Sequence, residues 1–347
     1  MQSAILVAPG RIEVQEVPVP EPGPGEVVLQ VRSALTSGAD LRAWRGGGRT
    51  PAPLGNEYAG VVARVGPGVT GLKEGDAVMT AHSAPCGSCF HCDRGEENLC
   101  EGTEAGAARG GMAEYVRVGA PIVRRNMFPK PPGLDFREAA FLEPLASVVQ
   151  GLQSIPLLEE DTVVILGTGA IGLLHLLALK VLGRPRRIVM AGRGAGRLAL
   201  ASELGAHRVV DADRESAVEV VRELTGGYGA QVVLECAGRP EAWNQVVDLA
   251  CRGSHILLFG GCPGGLPVEF DTTRLHYDQI ALVGTYQFTP VAVRAAYELL
   301  ARGEVRPAPL LSGSLPLGEL PGALERLDRG EGVKYEVNPS QGEERRP

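Results

Sequence analysis

Up to about residue 147 the apolar positions come in short, valine-rich bursts, among them EVVLQVRSA, YAGVVARVG and DAVMTAH, separated by PGPG, GPG and KEGD. Runs of that length, rich in β-branched residues and closed by Gly and Pro, predict strands joined by tight turns, and so an all-β module. From Asp161 the pattern changes. TVVILG is a continuous apolar run that passes through glycines into TGAIGLLHLLALKVLG, which predicts a buried strand followed by a long apolar helix. RRIVMAG, GRLALASELGA, HRVVD, ESAVEVVRELTG, QVVLECAG, EAWNQVVDLACRG and SHILLFGG then alternate strand and helix, the order of a parallel doubly wound sheet. VRAAYELLARG and LERLDRG are expected to return to the first domain, and QGEERRP to fray.

Composition narrows the picture by exclusion. A chain of 347 residues with 44% hydrophobic positions buries a substantial core and divides into two domains. Its net charge of −7 is dispersed, without the basic blocks of a nucleic-acid binder. No uninterrupted apolar run reaches membrane-spanning length. Met1 to Val7 runs straight into a strand-like pattern with no export signal, so a cytoplasmic location is expected.

Four of the seven cysteines, Cys86, Cys89, Cys92 and Cys100, share the string CGSCFHCDRGEENLC. Thiolates at this spacing converge on one tetrahedral Zn²⁺, and four protein ligands leave no position for substrate, so the expected zinc is structural. The alternative is disulfide pairing, which loop neighbours this close make only with strain. Cys236, Cys251 and Cys262 are scattered in apolar or glycine-rich surroundings and are read as small buried hydrophobes.

Gly167, Thr168, Gly169, Ala170, Ile171 and Gly172 form GTGAIG between a predicted strand and a predicted helix. Backbone amides at that helix N-terminus favour a pyrophosphate, and the glycines permit its close approach, so a dinucleotide is expected. An acid about 20 residues on, at the end of the second strand, would hold the ribose 2′-OH of NAD(H). Here Gly192 stands in that place, followed by Arg193 and, one turn later, Arg197. A 2′-phosphate would meet space and cations, which points to NADP(H). The alternative leaves both arginines simply solvated.

Together the four-cysteine loop, LGNEYAGVVARVG, GGMAEYVRV, FLEPLAS, GTGAIG and CAGRP resemble the zinc-dependent medium-chain dehydrogenase/reductase superfamily, which includes the alcohol, sorbitol and threonine dehydrogenases. The resemblance covers nearly the whole chain. It implies an α/β protein, with a GroES-like β-rich catalytic domain at 1–147 and 285–347 interrupted by a Rossmann domain at 148–284, assembled as a homodimer or homotetramer. It also implies a catalytic zinc held by a cysteine in a CG-x-D string, a histidine in a GHE string, and a cysteine or glutamate further on. In this chain those strings read Ser37, Gly38, Ala39, Asp40 and Gly55, Asn56, Glu57. Only Glu143, in FLEPLAS, fits the third position, and Glu57 matches the glutamate that lies beside the metal. Hydroxyl and carboxamide are poor substitutes for thiolate and imidazole on Zn²⁺, so the catalytic zinc is expected to be absent.

The six histidines are read as packing or solvated groups, with His91 in the cysteine loop, His175 on the apolar helix, and His82, His207, His255 and His276 at strand or loop edges. His276 lies in LHYDQIALVGTYQFTP, a string that resembles the branch acting on polyols and aminocyclitols, such as the scyllo-inosamine dehydrogenases. A small hydroxylated substrate is implied.

Hydride transfer belongs to the nicotinamide, and the protein supplies position, polarisation and a proton. Without zinc, Ser37 and Asn56 are the available donors to an alkoxide, Glu57 and Glu143 the proton sources, and Asp40 the orienting group. Each has a structural alternative: Ser37 capping a turn, Asn56 bonding backbone, and the carboxylates pairing with Arg42 or Arg45. Three functions remain open: carbonyl–alcohol interconversion with NADPH, reduction of a conjugated C=C bond, and NADPH binding without catalysis.

Overall fold

The computed structural model describes residues 1–340, and the QGEERRP segment expected to fray lies outside the described residues. Two compact units are present: Met1–Ser147 with the segment that begins at Phe288, and Val148–Gln287 inserted between them in sequence. The return falls at Phe288 and not at residue 285, because residues 285–287 stay with the last strand of the inserted unit.

The first unit opens with β1 (Gln2–Ala8), β2 (Arg11–Glu16), β3 (Val27–Leu35), β4 (Ala52–Pro53), β5 (Glu57–Val65), β6 (Ala77–Thr80), β7 (Tyr115–Val118) and β8 (Met127–Pro129). The inserted unit contributes β9 (Thr162–Leu166), β10 (Arg187–Gly192), β11 (Arg208–Asp211), β12 (Ala230–Glu235), β13 (Ala250–Leu258) and β14 (Ala281–Gly284). The chain then adds β15 (Leu311–Pro316) and β16 (Lys334–Asn338) to the first unit.

In the first unit the main sheet runs β15-β16-β3-β5-β6-β8, with β7 also paired to β3. β3 sits at its heart, which is why its residues are buried almost without alternation. Antiparallel pairing sets Leu35 opposite both Glu57 and Glu336, and Tyr58 opposite Thr80. The end of β3 and the starts of β5 and β16 therefore meet at one end of the sheet. Ala81 and His82, leaving β6, run past that same end.

The inserted unit is a parallel six-stranded sheet in the order β11-β10-β9-β12-β13-β14, which reverses direction between β9 and β12. All five residues of β9 are buried, as the unbroken TVVIL run predicts for a central parallel strand. Ligands of such sheets bind beyond the strand carboxyl ends at the reversal point. Gly167 and Cys236, the residues directly after β9 and β12, mark that place.

Gly167 has φ +114°, open only to glycine. The helix Ala170–Leu182 packs so tightly on this turn that a Cβ at Gly172 would collide with the Gly167 carbonyl oxygen. Gly172→Ala is expected to destabilise the protein by about 2 kcal/mol through overpacking. Urea melts would show it, and unchanged stability would mean the helix slides without cost.

Candidate active site and metal lobe

The four cysteine sulfurs lie within 4.8 Å of one another. Cys86 to Cys92 is 4.0 Å and Cys89 to Cys92 is 3.6 Å. These distances are far beyond a disulfide and close to the roughly 3.8 Å sulfur spacing of a tetrahedron with 2.3 Å Zn–S bonds. The backbone N–H groups of Cys86 and Gly102 donate to Cys100 Sγ at 3.2 and 3.3 Å, as they would to a thiolate ligand. The lobe fits one structural Zn²⁺ held by Cys86, Cys89, Cys92 and Cys100.

In the inserted unit a cavity of about 950 Å³ opens at the sheet's reversal point, lined by Gly167, Thr168, Gly169, Gly192, Arg193 and Arg197 among others. A Cβ on Gly169 would meet no atom, so the N-terminus of the helix stays open to a ligand phosphate. Ala170 and Ile171 form the first helical turn, while Gly172 is buried and serves packing. Gly192 has a cause that sequence reasoning missed. Thr168 fills the place where an acidic side chain would start: a Cβ at 192 would lie 2.5 Å from Thr168 Oγ1, which donates to Arg193 O at 3.0 Å. Arg193 stays exposed, with its Nε 2.8 Å from Asp213 Oδ1.

Cys236 is half-buried and lines this cavity, where sequence reasoning expected a buried hydrophobe. Its Sγ lies 3.6 Å from His175 Nδ1, which donates to Ile171 O at 2.9 Å. Burial holds His175 neutral, its pKa lowered to about 4. Glu235 Oε1 accepts from the N–H groups of Ala237 and Gly238 at 2.8 and 2.9 Å, shaping the cavity wall. His276 is exposed on the short helix Thr272–Tyr277, edge-on to Tyr277, and is not among the cavity's lining residues.

The first unit gathers Ser37, Asp40, Asn56 and Glu57 at the sheet end described above. Ser37 is the N-cap of the helix Gly38–Trp44, and Asp40 completes the capping box. Ser37 Oγ donates to Asp40 Oδ2 at 2.7 Å and accepts from Asp40 N at 3.1 Å. The capping alternative therefore describes Ser37, and its proton is committed to Asp40. The other oxygen of Asp40 accepts from Gly55 N at 3.0 Å, so this buried carboxylate orients the turn that carries Asn56 and Glu57. Asn56 is half-buried there.

Glu57 pairs with neither Arg42 nor Arg45. Arg45 bonds Asp328, and Glu57 Oε2 lies 2.5 Å from the buried ammonium of Lys334, a partner sequence reasoning did not name. Lys334 also donates to Thr36 O at 2.7 Å, while Thr36 N donates to Tyr335 O and Tyr335 N to Thr36 Oγ1, both at 2.9 Å. Burial raises the Glu57 pKa above the ordinary carboxylate range, Lys334 opposes that rise, and the nearby Glu143 and Asp40 carboxylates add to it. Asp40 is raised too, chiefly by burial against the hydrogen bonds from Ser37 and Gly55. Glu143, in the first turn of the helix Leu142–Gln153, faces His82: Oε1 is 3.3 Å from Nδ1. His82 is buried, so it belongs to this cluster and not to a solvated loop edge. The signal that could have found it is its place two residues beyond β6, which the register carries to the Asn56 end of β5.

Residues 23–130 match the alcohol dehydrogenase GroES-like domain, and residues 170–302 match the zinc-binding dehydrogenase family. A sorbitol dehydrogenase from Halalkalibacterium halodurans is 32% identical, over 95% of this chain and 96% of its own length. The chain belongs to the zinc-dependent medium-chain dehydrogenase/reductase superfamily. An L-threonine 3-dehydrogenase from Symbiobacterium thermophilum is 33% identical over 94% of each chain. A Sinorhizobium meliloti 1021 protein solved bound to NADP superposes with a TM-score of 0.90, at 30% identity and over 97% of this chain and 99% of that one. This member of the superfamily is an oxidoreductase that carries the four-cysteine lobe.

About one zinc per chain is expected by elemental analysis, lost with Cys89→Ser. Retention of zinc by that variant would move the metal away from the lobe. Lys334→Met, which strands three carboxylates, is expected to cost about 3 kcal/mol, and Glu57→Gln in the same chain to recover most of it. Additive losses in urea melts would disprove the pairing.

Proposed function

We propose that this protein is an NADP(H)-dependent oxidoreductase interconverting a carbonyl and an alcohol on a small polyol-, aminocyclitol- or amino-sugar-like substrate, without a catalytic zinc. The observation that carries the reading is the donor set at the sheet end. Ser37 is spent on a helix cap, Asn56 offers a neutral carboxamide, and Glu57 is held by Lys334. No group of three or more His, Cys, Asp or Glu side chains other than the cysteine lobe converges closely enough to hold a metal ion among the described residues.

When bound, the nicotinamide supplies or accepts the hydride. The chain's own residues handle the substrate oxygen. Asn56 donates a hydrogen bond that strengthens as charge grows on that oxygen, the part zinc plays elsewhere as a Lewis acid. Asp40 holds the Asn56 turn through Gly55 N. Burial raises the pKa of the Glu57 carboxyl, with the Glu143 and Asp40 carboxylates adding to the rise and Lys334 opposing it, so Glu57 is the acid placed to supply the proton. Arg193 and Arg197 in the cavity lining support a 2′-phosphate, as does the NADP bound by the Sinorhizobium relative. The sorbitol and threonine dehydrogenase relatives support hydroxylated or amino-hydroxylated substrates.

The test is turnover of a panel of polyols, aminocyclitols and amino sugars with each cofactor, with products identified by mass and NMR. NADPH is expected to be preferred at least about 10-fold, and Asn56→Ala to lower kcat about 100-fold. An NADH preference, a product reduced at C=C, or a second zinc per chain would each overturn the corresponding part.

A further inference from the structure

We propose that Thr168 is a specificity-determining residue for the cofactor: its side chain bars a carboxylate from position 192, and its hydroxyl fixes the main chain of Arg193, so that the inserted unit takes the phosphorylated dinucleotide. This rests on the NADP(H) reading above.

Thr168 stands in the turn between β9 and the helix Ala170–Leu182, lines the cavity and is 4% exposed. A Cβ at Gly192 would lie 2.5 Å from Thr168 Oγ1, 2.6 Å from Cγ2 and 2.9 Å from the backbone N. Non-bonded carbons rest at roughly 3.5–4.0 Å, so no side chain starts at 192 without displacing something. The two shortest contacts are both with the branch atoms of the threonine. Taking those atoms away leaves the contact with the backbone N, the mildest of the three.

Neither partner is free to step aside. Gly167 N donates to Ala191 O at 2.8 Å, Thr168 Oγ1 to Arg193 O at 3.0 Å, and Ala212 N to Gly192 O at 2.9 Å, so residue 192 is tied down through itself and both neighbours. The turn is backed in its own right by β12 and the residues after it. Cys236 N donates to Leu166 O at 2.8 Å, and a Cβ at Gly167 would meet Ala237 N at 3.0 Å. The bond from Oγ1 also holds the threonine in the rotamer that fills the space above Gly192.

A carboxylate at the end of β10 is the group that would accept from the ribose 2′-OH of NAD(H). Thr168 closes that option sterically. The same hydroxyl fixes the carbonyl of Arg193, whose side chain lines the cavity with that of Arg197. A guanidinium on an immobilised main chain gives up less freedom when it grips a 2′-phosphate. An aspartate introduced at 192 by itself therefore clashes and confers no NADH binding, and only a paired change at 168 opens the place for it.

The experiment has two arms on the full-length protein. In the first, urea melts without cofactor compare wild type, Thr168→Ala, Gly192→Ala and the pair. Gly192→Ala is expected to lower the midpoint by about 1 M in wild type and by less than about 0.3 M in the Thr168→Ala background. In the second, NADPH and NADH are titrated by fluorescence. Thr168→Ala alone is expected to weaken NADPH about 5-fold and NADH less than about twofold, the loss of one hydrogen bond behind Arg193. Gly192→Asp alone is expected to lose at least about 10-fold for NADPH and to gain nothing for NADH, while Thr168→Ala with Gly192→Asp binds NADH at least about 10-fold more tightly than Gly192→Asp and prefers it. If Gly192→Asp does not fold, recovery of the fold by Thr168→Ala in the same chain supports the same contact. Equal midpoint losses in the two backgrounds, a fold lost in both, or an NADH preference gained by Gly192→Asp alone would overturn the role of Thr168. A wild-type preference for NADH would overturn the underlying reading and the specificity role with it, while coupling between 168 and 192 in the melts would stand.

Discussion

The buried ammonium of Lys334 ties together one end of the main sheet of the first unit. It arrives on β16, near the end of the chain, and meets a carboxylate on β5 and a carbonyl just past β3. Burying a charge is tolerable only with partners that return most of the lost hydration, and here a carboxylate and a carbonyl do so at 2.5 and 2.7 Å. The segment that begins at Phe288 therefore does more than complete a sheet. It brings the one ammonium that lets Glu57 sit within reach of two further carboxylates.

That balance keeps the end of the sheet ordered. The Ser37 hydroxyl satisfies a helix cap, and Asp40 binds it on one side and the Asn56 turn on the other. Ser37 and Asp40 thus belong to one hydrogen-bonded network that supports the backbone presenting Asn56 and Glu57.

In the inserted unit the controlling constraint is steric. Gly167, Gly172 and Gly192 are each required by close approach: a strained turn, a helix packed on that turn, and the Thr168 side chain standing where an acid would begin. Gly192 shows how one residue admits two explanations. Its lack of a carboxylate suits a 2′-phosphate, and packing against Thr168 enforces the same lack. Arg193, paired with Asp213, must exchange or share that partner to hold a phosphate.

Much of this was legible in the order of residues. The alternation of strand and helix from Asp161, the GTGAIG turn and the cysteine spacing are local signals, because strand period, helix N-termini and loop ligands act over a few neighbours. The altered ligand strings at Ser37 and Asn56 were equally visible once the resemblance located them. The partners were not. Lys334 with Glu57 and His82 with Glu143 are 277 and 61 positions apart, and nothing in either neighbourhood names the other. By itself the sequence determined the family, the two-domain plan, the metal lobe and the dinucleotide turn. Only the tertiary structure decided which acids are engaged, that Ser37 is spent on a cap, and that His82 is buried beside a carboxylate, because burial and charge pairing depend on strands that meet only after the chain has folded.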